Sequence, residues 1–161
     1  MAKQLLGKEV TAALNEKIKA NVAELQAKGV NPTLCIIRVG ENPSDISYER
    51  GATKRCETLG VACEKILLPE DVSKEELLAV IDKVNKDDSI HGVLMFRPLP
   101  KHLDDEAARR ALDPRKDMDG ITDGSLAAVY AGTDGGYPPC TAAACVALLK
   151  HYNVPIKGKR V

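Results

Sequence analysis

No charge of one sign dominates this 161-residue chain: 23 basic residues are matched by 23 acidic ones. A nucleic-acid-binding surface or an anionic-membrane patch is therefore not expected. No apolar run approaches the roughly 20 residues of a membrane helix. The first residues, Met-Ala-Lys-Gln-Leu-Leu-Gly-Lys, lack the apolar stretch of a signal peptide. A cytoplasmic location is the default expectation. Cysteine is odd in number: Cys35, Cys56, Cys63, Cys140 and Cys145, with no Cys-x-x-Cys pair. That excludes a disulfide framework and a zinc site as first readings. His91, His102 and His151 stand at no metal-ligand spacing, so no metal is expected. The glycines from Gly132 to Gly136 lack the Gly-x-Gly-x-x-Gly arrangement, and no dinucleotide site is read there.

What is present is the composition of a soluble globular protein, 44% hydrophobic and 29% charged, at a length that suits one domain with a real core. Val10, Leu14, Ile18, Val22 and Leu25 recur at helical spacing, and Gly29 follows as a stop. Thr33 to Val39 reads as a strand that runs into Gly40, then a polar turn, then a helix carrying Tyr48. Pro43 suits the first turn of that helix, where its missing N–H costs nothing. Ala62 to Leu68 is a second strand. Ser73 with Glu76 forms a capping box before the apolar face of Leu77, Leu78, Val80, Ile81 and Val84. His91 to Phe96 is a third strand, which Pro98 and Pro100 force out of the sheet. Short helices follow near residues 104–112 and 126–130, and another over 142–152. Strands alternating with helices predict an α/β fold: three layers, α/β/α, around a mainly parallel sheet.

The chemistry is expected at the carboxyl edge of that sheet, where open α/β folds place their ligands. Tyr48 follows β-strand and turn there, which makes it the first functional candidate. Three further segments stand in order behind it: Arg97-Pro98-Leu99-Pro100, Lys116-Asp117-Met118-Asp119-Gly120 and Pro139-Cys140-Thr141. Together the four resemble the N-terminal, folate-binding half of the bifunctional methylenetetrahydrofolate dehydrogenase/methenyltetrahydrofolate cyclohydrolase family. That family's pattern is Tyr-x-x-x-Lys, Gln-Leu-Pro-Leu-Pro, Lys-Asp-Val-Asp-Gly and Pro-Cys-Thr-Pro. The resemblance extends over essentially the whole chain and implies the fold of the N-terminal domain of amino-acid-dehydrogenase-like enzymes. It also implies a tetrahydrofolate substrate, NADP or NAD as cofactor, a role in one-carbon supply such as purine biosynthesis, and a homodimeric full-length protein. Residues 1–150 would form the folate-binding catalytic domain. Residues 151–161, which end Gly158-Lys159-Arg160-Val161, would be the linker and the start of an absent Rossmann domain.

The resemblance assigns Tyr48 to orient the substrate, Asp119 to anchor its pterin, and Phe96, Pro98, Leu99 and Pro100 to line the cleft. Cys140 and Thr141 fall beside the cofactor, while Asp117 reads as a structural cap. Two family residues are missing. Ala52 stands where the family has the lysine that assists chemistry at the carbon bridge, and Phe96 where it has glutamine. Lys54 and Arg97 are the candidate replacements. Lys54 is six residues beyond Tyr48, about 120° off its face at 100° per residue. Arg55 returns to that face about 10 Å farther along the axis. Loss of the lysine should hurt hydration of the methenyl cation more than hydride transfer, because hydration needs proton management. A dehydrogenase without cyclohydrolase activity, a non-catalytic folate-binding domain, and a two-domain dehydrogenase for shikimate or an amino acid are the alternatives.

Overall fold

The computed structural model describes residues 4–160. Helix α1 (Gly7–Ala27) leads to strand β1 (Thr33–Val39), helix α2 (Pro43–Leu59), strand β2 (Ala62–Leu68), helix α3 (Lys74–Lys86) and strand β3 (Gly92–Met95). Helix α4 (Asp105–Ala111), a 3-10 turn (Pro114–Lys116), α5 (Asp123–Ala131) and α6 (Cys140–His151) complete the chain. The three strands are parallel in the order β2-β1-β3, so β1 is central and buried on both faces.

Alternation along β1 divides the two layers. Cys35, Ile37 and Val39 point to one face, where Leu77, Ile81 and Val84 of α3 and Val93 and Met95 of β3 close the core. On the other face Arg38, buried in mid-sheet, meets Glu49 of α2 at 2.7 Å, and Lys65 of β2 approaches the second oxygen at 3.4 Å. Burial opposes the charge on Glu49, but the hydrogen bonds from Arg38 and Lys65 win and hold its carboxyl below the usual value. The helices on the two faces make the three-layer arrangement that the strand–helix alternation predicts.

Local signals set the element ends. Ser73 accepts the Glu76 N–H while Glu76 accepts the Ser73 N–H, the reciprocal capping box read from the sequence. The third strand is one residue shorter at each end than expected, although the Phe96 N–H still donates to Ile37. Helix α6 starts at Cys140, two residues early, so Cys140 and Thr141 lie in its first turn. Tyr152 ties the far end of the fold to its beginning by donating to the Leu6 carbonyl at 2.9 Å. Val161, expected to open a further strand, lies outside the described residues. No helix among the described residues is long and apolar enough to cross a membrane, and no group of three described His, Cys, Asp or Glu residues could hold a metal ion.

Candidate functional site

The site is built at the carboxyl ends of β1 and β3. The chain leaves β1 at Gly40, whose φ of +75° suits glycine. Asn42 then caps α2 by accepting the Ser44 N–H at 2.9 Å, with Pro43 in the first turn. This start sets Ser44, Asp45 and Tyr48 over the sheet edge. From β3 come Phe96, buried, and Arg97, whose bond to Pro98 is cis.

The third wall is the segment through Asp119. Asp117 is 1% exposed, and its two oxygens accept the N–H groups of Ile121 (3.0 Å) and Thr122 (2.8 Å). Burial opposes the charge on Asp117, but those backbone donors outweigh it and hold the carboxyl below its ordinary value. A bridge from Val93 to Asp117 seats the segment on the free edge of β3. Gly120 (φ +66°) allows the next turn, since a Cβ there would lie 2.6 Å from the Tyr137 carbonyl oxygen. Thr122 then caps α5 by accepting the Ser125 N–H at 3.1 Å.

These walls enclose a cavity of about 480 Å³ lined by Ser44, Asp45, Tyr48, Phe96, Arg97, Asp119 and Ile121, with Leu94 and Met95 at its base. The rings of Tyr48 and Phe96 meet edge to face, 5.4 Å between centroids and 64° between planes. Tyr48 remains 64% exposed, so one face of its ring is free to a ligand. Arg97 is gripped by Asp105 of α4: its Nε donates to Oδ1 at 2.6 Å and its second nitrogen to Oδ2. The pair raises the Arg97 guanidinium above its already high value and lowers the Asp105 carboxyl. Asp119 adds to the field on Arg97. Asp105 also lies 3.8 Å from Arg109, which donates to the Ile121 carbonyl at 2.9 Å. One carboxylate thus braces both the Arg97 wall and the Asp119 wall.

Tyr48, Phe96, Arg97 and Asp119 are brought together as the sequence suggested. Lys54 is not. Helix α2 is regular throughout, so Lys54 projects to a separate groove with Glu49, Arg50, Thr53 and Lys65. Pro98, Leu99 and Pro100 do not line the Tyr48 cavity either. The chain turns away after Arg97, and they line an adjoining cavity of about 610 Å³ with Glu41, Asn42 and Glu70; the two cavities meet at Asp45. Ala52 and Arg55 share a third cavity with Tyr48 along α2. Cys140 lies beside Asp119 and donates to the Met118 carbonyl at 3.2 Å. Desolvation and the neighbouring Asp119 push its thiol upward. Thr141 is exposed beside it. Sequence reasoning missed Asp45 and Asp105. Two acidic residues opening α4 just past an unexplained arginine were the available signal for Asp105.

A dinucleotide does not fit the turn after β1. Its surroundings, Glu41, Asp45 and Glu70, are carboxylates that would repel a pyrophosphate; of the basic side chains near them, Lys101 and His102 line the same cavity, and Arg38 is taken up by Glu49 and the Gly40 carbonyl.

A doubly covered parallel sheet with an aromatic and acidic cleft at its carboxyl edge defines a substrate-binding domain of the α/β enzyme type. The chain belongs to the tetrahydrofolate dehydrogenase/cyclohydrolase family, whose catalytic-domain model matches residues 5–119. It is 44% identical over 160 residues to the bifunctional protein FolD of Carboxydothermus hydrogenoformans, which covers 99% of this chain and 56% of that one. The FolD of Clostridioides difficile is 44% identical over 155 residues, 96% of this chain and 54% of its own. Among solved structures, the bifunctional FolD methylenetetrahydrofolate dehydrogenase/cyclohydrolase of Campylobacter jejuni superposes with a TM-score of 0.93 at 34% identity, over 96% of this chain and 55% of that one. The chain spans about half the length of the relatives it matches.

Proposed function

We propose that this chain is the folate-binding half of an enzyme that oxidises 5,10-methylenetetrahydrofolate to 5,10-methenyltetrahydrofolate, with NADP or NAD held outside the described residues. Residues 151–161 serve as the linker toward that second domain, and the whole protein is a cytoplasmic homodimer. One observation carries the reading: in a chain of this family, Tyr48, Phe96, Arg97 and Asp119 line one cleft. The free face of Tyr48 stacks on the aminobenzoyl ring. Asp119 accepts N–H groups of the pterin. Asp45 and Asp119 supply negative charge where the methenyl cation develops, while the charge of Arg97 is offset by Asp105. Cys140 and Thr141, in the first turn of α6 beside Asp119, serve the cofactor side.

The second reaction, hydration to 10-formyltetrahydrofolate, requires a group that gives and takes a proton at the bridge. Ala52 offers none, Lys54 faces another groove, and Arg97 is locked in its protonated form. Phe96 puts an apolar edge where the family has an amide. The cleft therefore favours dehydrogenase over cyclohydrolase.

Calorimetric titration of the chain with tetrahydrofolate tests the binding role, with Asp119→Ala and Tyr48→Ala each expected to weaken it about tenfold or more. Absence of binding by the wild type overturns the reading. In the protein continued through a cofactor-binding domain, nicotinamide reduction with methenyl hydrolysis at the buffer rate is expected. Rapid hydrolysis would refute the loss of the second activity.

A further inference from the structure

On the side away from the cleft, α2 lies against β2 through a row of contacts along its inner face. Glu49 meets Lys65 at 3.4 Å, and the Thr53 hydroxyl stands 3.9 Å from the Cys63 sulfur. Cys56, the next residue of that face, is buried, and the Cys63 thiol adjoins it. Positions 49, 53 and 56 form one helical stripe. Opposite them, the register Leu34↔Cys63 and Ile36↔Lys65 puts Cys63 and Lys65 on the side of the sheet that carries Arg38, the side α2 covers. Both thiols are free. The other cysteines lie elsewhere: Cys35 points into the opposite layer, and Cys140 and Cys145 belong to α6. A groove of about 470 Å³ opens beside the pair, lined among others by Arg50, Thr53, Lys54, Glu57 and Lys65. Lys65 is held by Glu49, whereas Arg50 and Lys54 enter no ion pair among the described residues.

We propose that Cys56 and Cys63 are a dithiol modification site that exchanges with a small anionic disulfide and closes to a bridge between α2 and β2. The uncommitted charges of Arg50 and Lys54 draw the anionic oxidant into the groove. Cys63, the more exposed of the two, attacks first as thiolate: it forms a mixed disulfide and one half of the oxidant leaves as thiolate. Cys56 then attacks the Cys63 sulfur and expels the second half. The two protons shed by the protein thiols end on the two released thiolates, so two cysteines are oxidised and one disulfide is reduced. Burial and the adjoining Cys63 push the Cys56 thiol up to about 11, which suits the second step, where the target is already fixed beside it, and not the first. The bridge closes the short loop around Gly60 and fastens the end of the helix that carries Tyr48, about 12 Å along the axis from Cys56.

The test incubates the chain with oxidised glutathione, an anionic disulfide, then quenches with acid, alkylates under denaturing conditions and maps the cysteines by peptide mass spectrometry. Cys56 and Cys63 are expected to lose alkylation together as one internal bridge. Cys56→Ser should stop at a glutathione adduct on Cys63, and Cys63→Ser should leave Cys56 a free thiol. The rate should fall about threefold in high salt. The bridged chain should melt about 5 °C higher, since a closed loop restrains the unfolded state. No Cys56–Cys63 bridge in the folded wild type, a bridge joining other cysteines, or no adduct on Cys63 in Cys56→Ser overturns the dithiol site. A rate insensitive to salt overturns the choice of an anionic disulfide, and an unchanged or lower melting temperature overturns the fastening of α2.

Discussion

Replacing Asp117 by alanine should unseat the cleft wall from inside the fold. The carboxylate is buried and takes two backbone donors, Ile121 N–H at 3.0 Å and Thr122 N–H at 2.8 Å. Hydrogen bonds to a charged acceptor contribute about 1.5–3 kcal/mol each. Removing both gives about 3–6 kcal/mol gross, and relief from desolvating the carboxylate returns part of it, leaving about 3 kcal/mol. Thr122 is itself buried, so water cannot readily replace the lost acceptor. For a chain of this size the melting temperature should fall by about 6–12 °C. Urea unfolding followed by circular dichroism measures the change, with the slope unaltered. Asp117→Asn keeps one acceptor and should lose less. The pH dependence gives an independent check. The folded carboxyl lies below its ordinary value of 3.8, so its contribution is complete above that value and is lost as pH falls through the folded one. The stability gap between wild type and Asp117→Asn should therefore narrow below about pH 4. A loss under about 1 kcal/mol in Asp117→Ala, or a gap that widens in acid, would refute the reasoning.

The other predictions concern the remaining charges and the missing lysine. Glu49→Gln leaves the buried Arg38 guanidinium without its counter-charge and should cost about 3–5 kcal/mol in denaturant unfolding; an unchanged midpoint would sink the idea. Asp105→Asn, at a half-exposed position, should move stability by less than about 1 kcal/mol. It should nonetheless weaken tetrahydrofolate binding several-fold, because Arg97 and Arg109 lose their shared anchor; equal losses in both measurements would mean a purely structural role. Ala52→Lys combined with Phe96→Gln, in the protein continued through a cofactor-binding domain, should raise methenyl-tetrahydrofolate hydrolysis by about a hundredfold, the lower range for a positioned acid–base group. No increase in a variant that still folds and binds would show that something else limits the second reaction.

The elements were legible wherever one residue decides a local preference. Gly40, Pro43 and the Ser73–Glu76 pair each fix their own turn or cap, while the apolar run Leu34 to Ile37 marks a buried strand without stating which side chains meet which layer. The direction of Lys54 was also readable, since helical geometry alone turns it from Tyr48. What could not be read were contacts that depend on how separate elements approach. Asp45 stands between the Tyr48 cavity and the Pro98–Pro100 cavity only because α2 leans over the sheet edge. Arg97 and Asp105 are eight residues apart across an irregular turn, with no periodicity to relate them. The pairing of Arg38 with Glu49 likewise depends on the docking of α2 on the sheet.

The pairing of Arg97 decides what kind of chemistry the cleft supports. A free lysine or histidine can exchange its proton near neutral pH, whereas a guanidinium held by Asp105 through two hydrogen bonds stays protonated through any working range. It can place a substrate oxygen or shape the field, but it cannot accept the proton of an attacking water. Its charge would also oppose a methenyl cation if Asp105 did not offset it, leaving Asp45 and Asp119 to set the sign of the cleft. On the proposed function, a site that favours a carbocation by fixed negative charge while lacking a proton carrier would hold the oxidised folate without hydrating it. Under that proposal hydration is left to another catalyst or to water, and the Arg97–Asp105 pair is compatible with either because it acts on the charge balance and not on proton transfer.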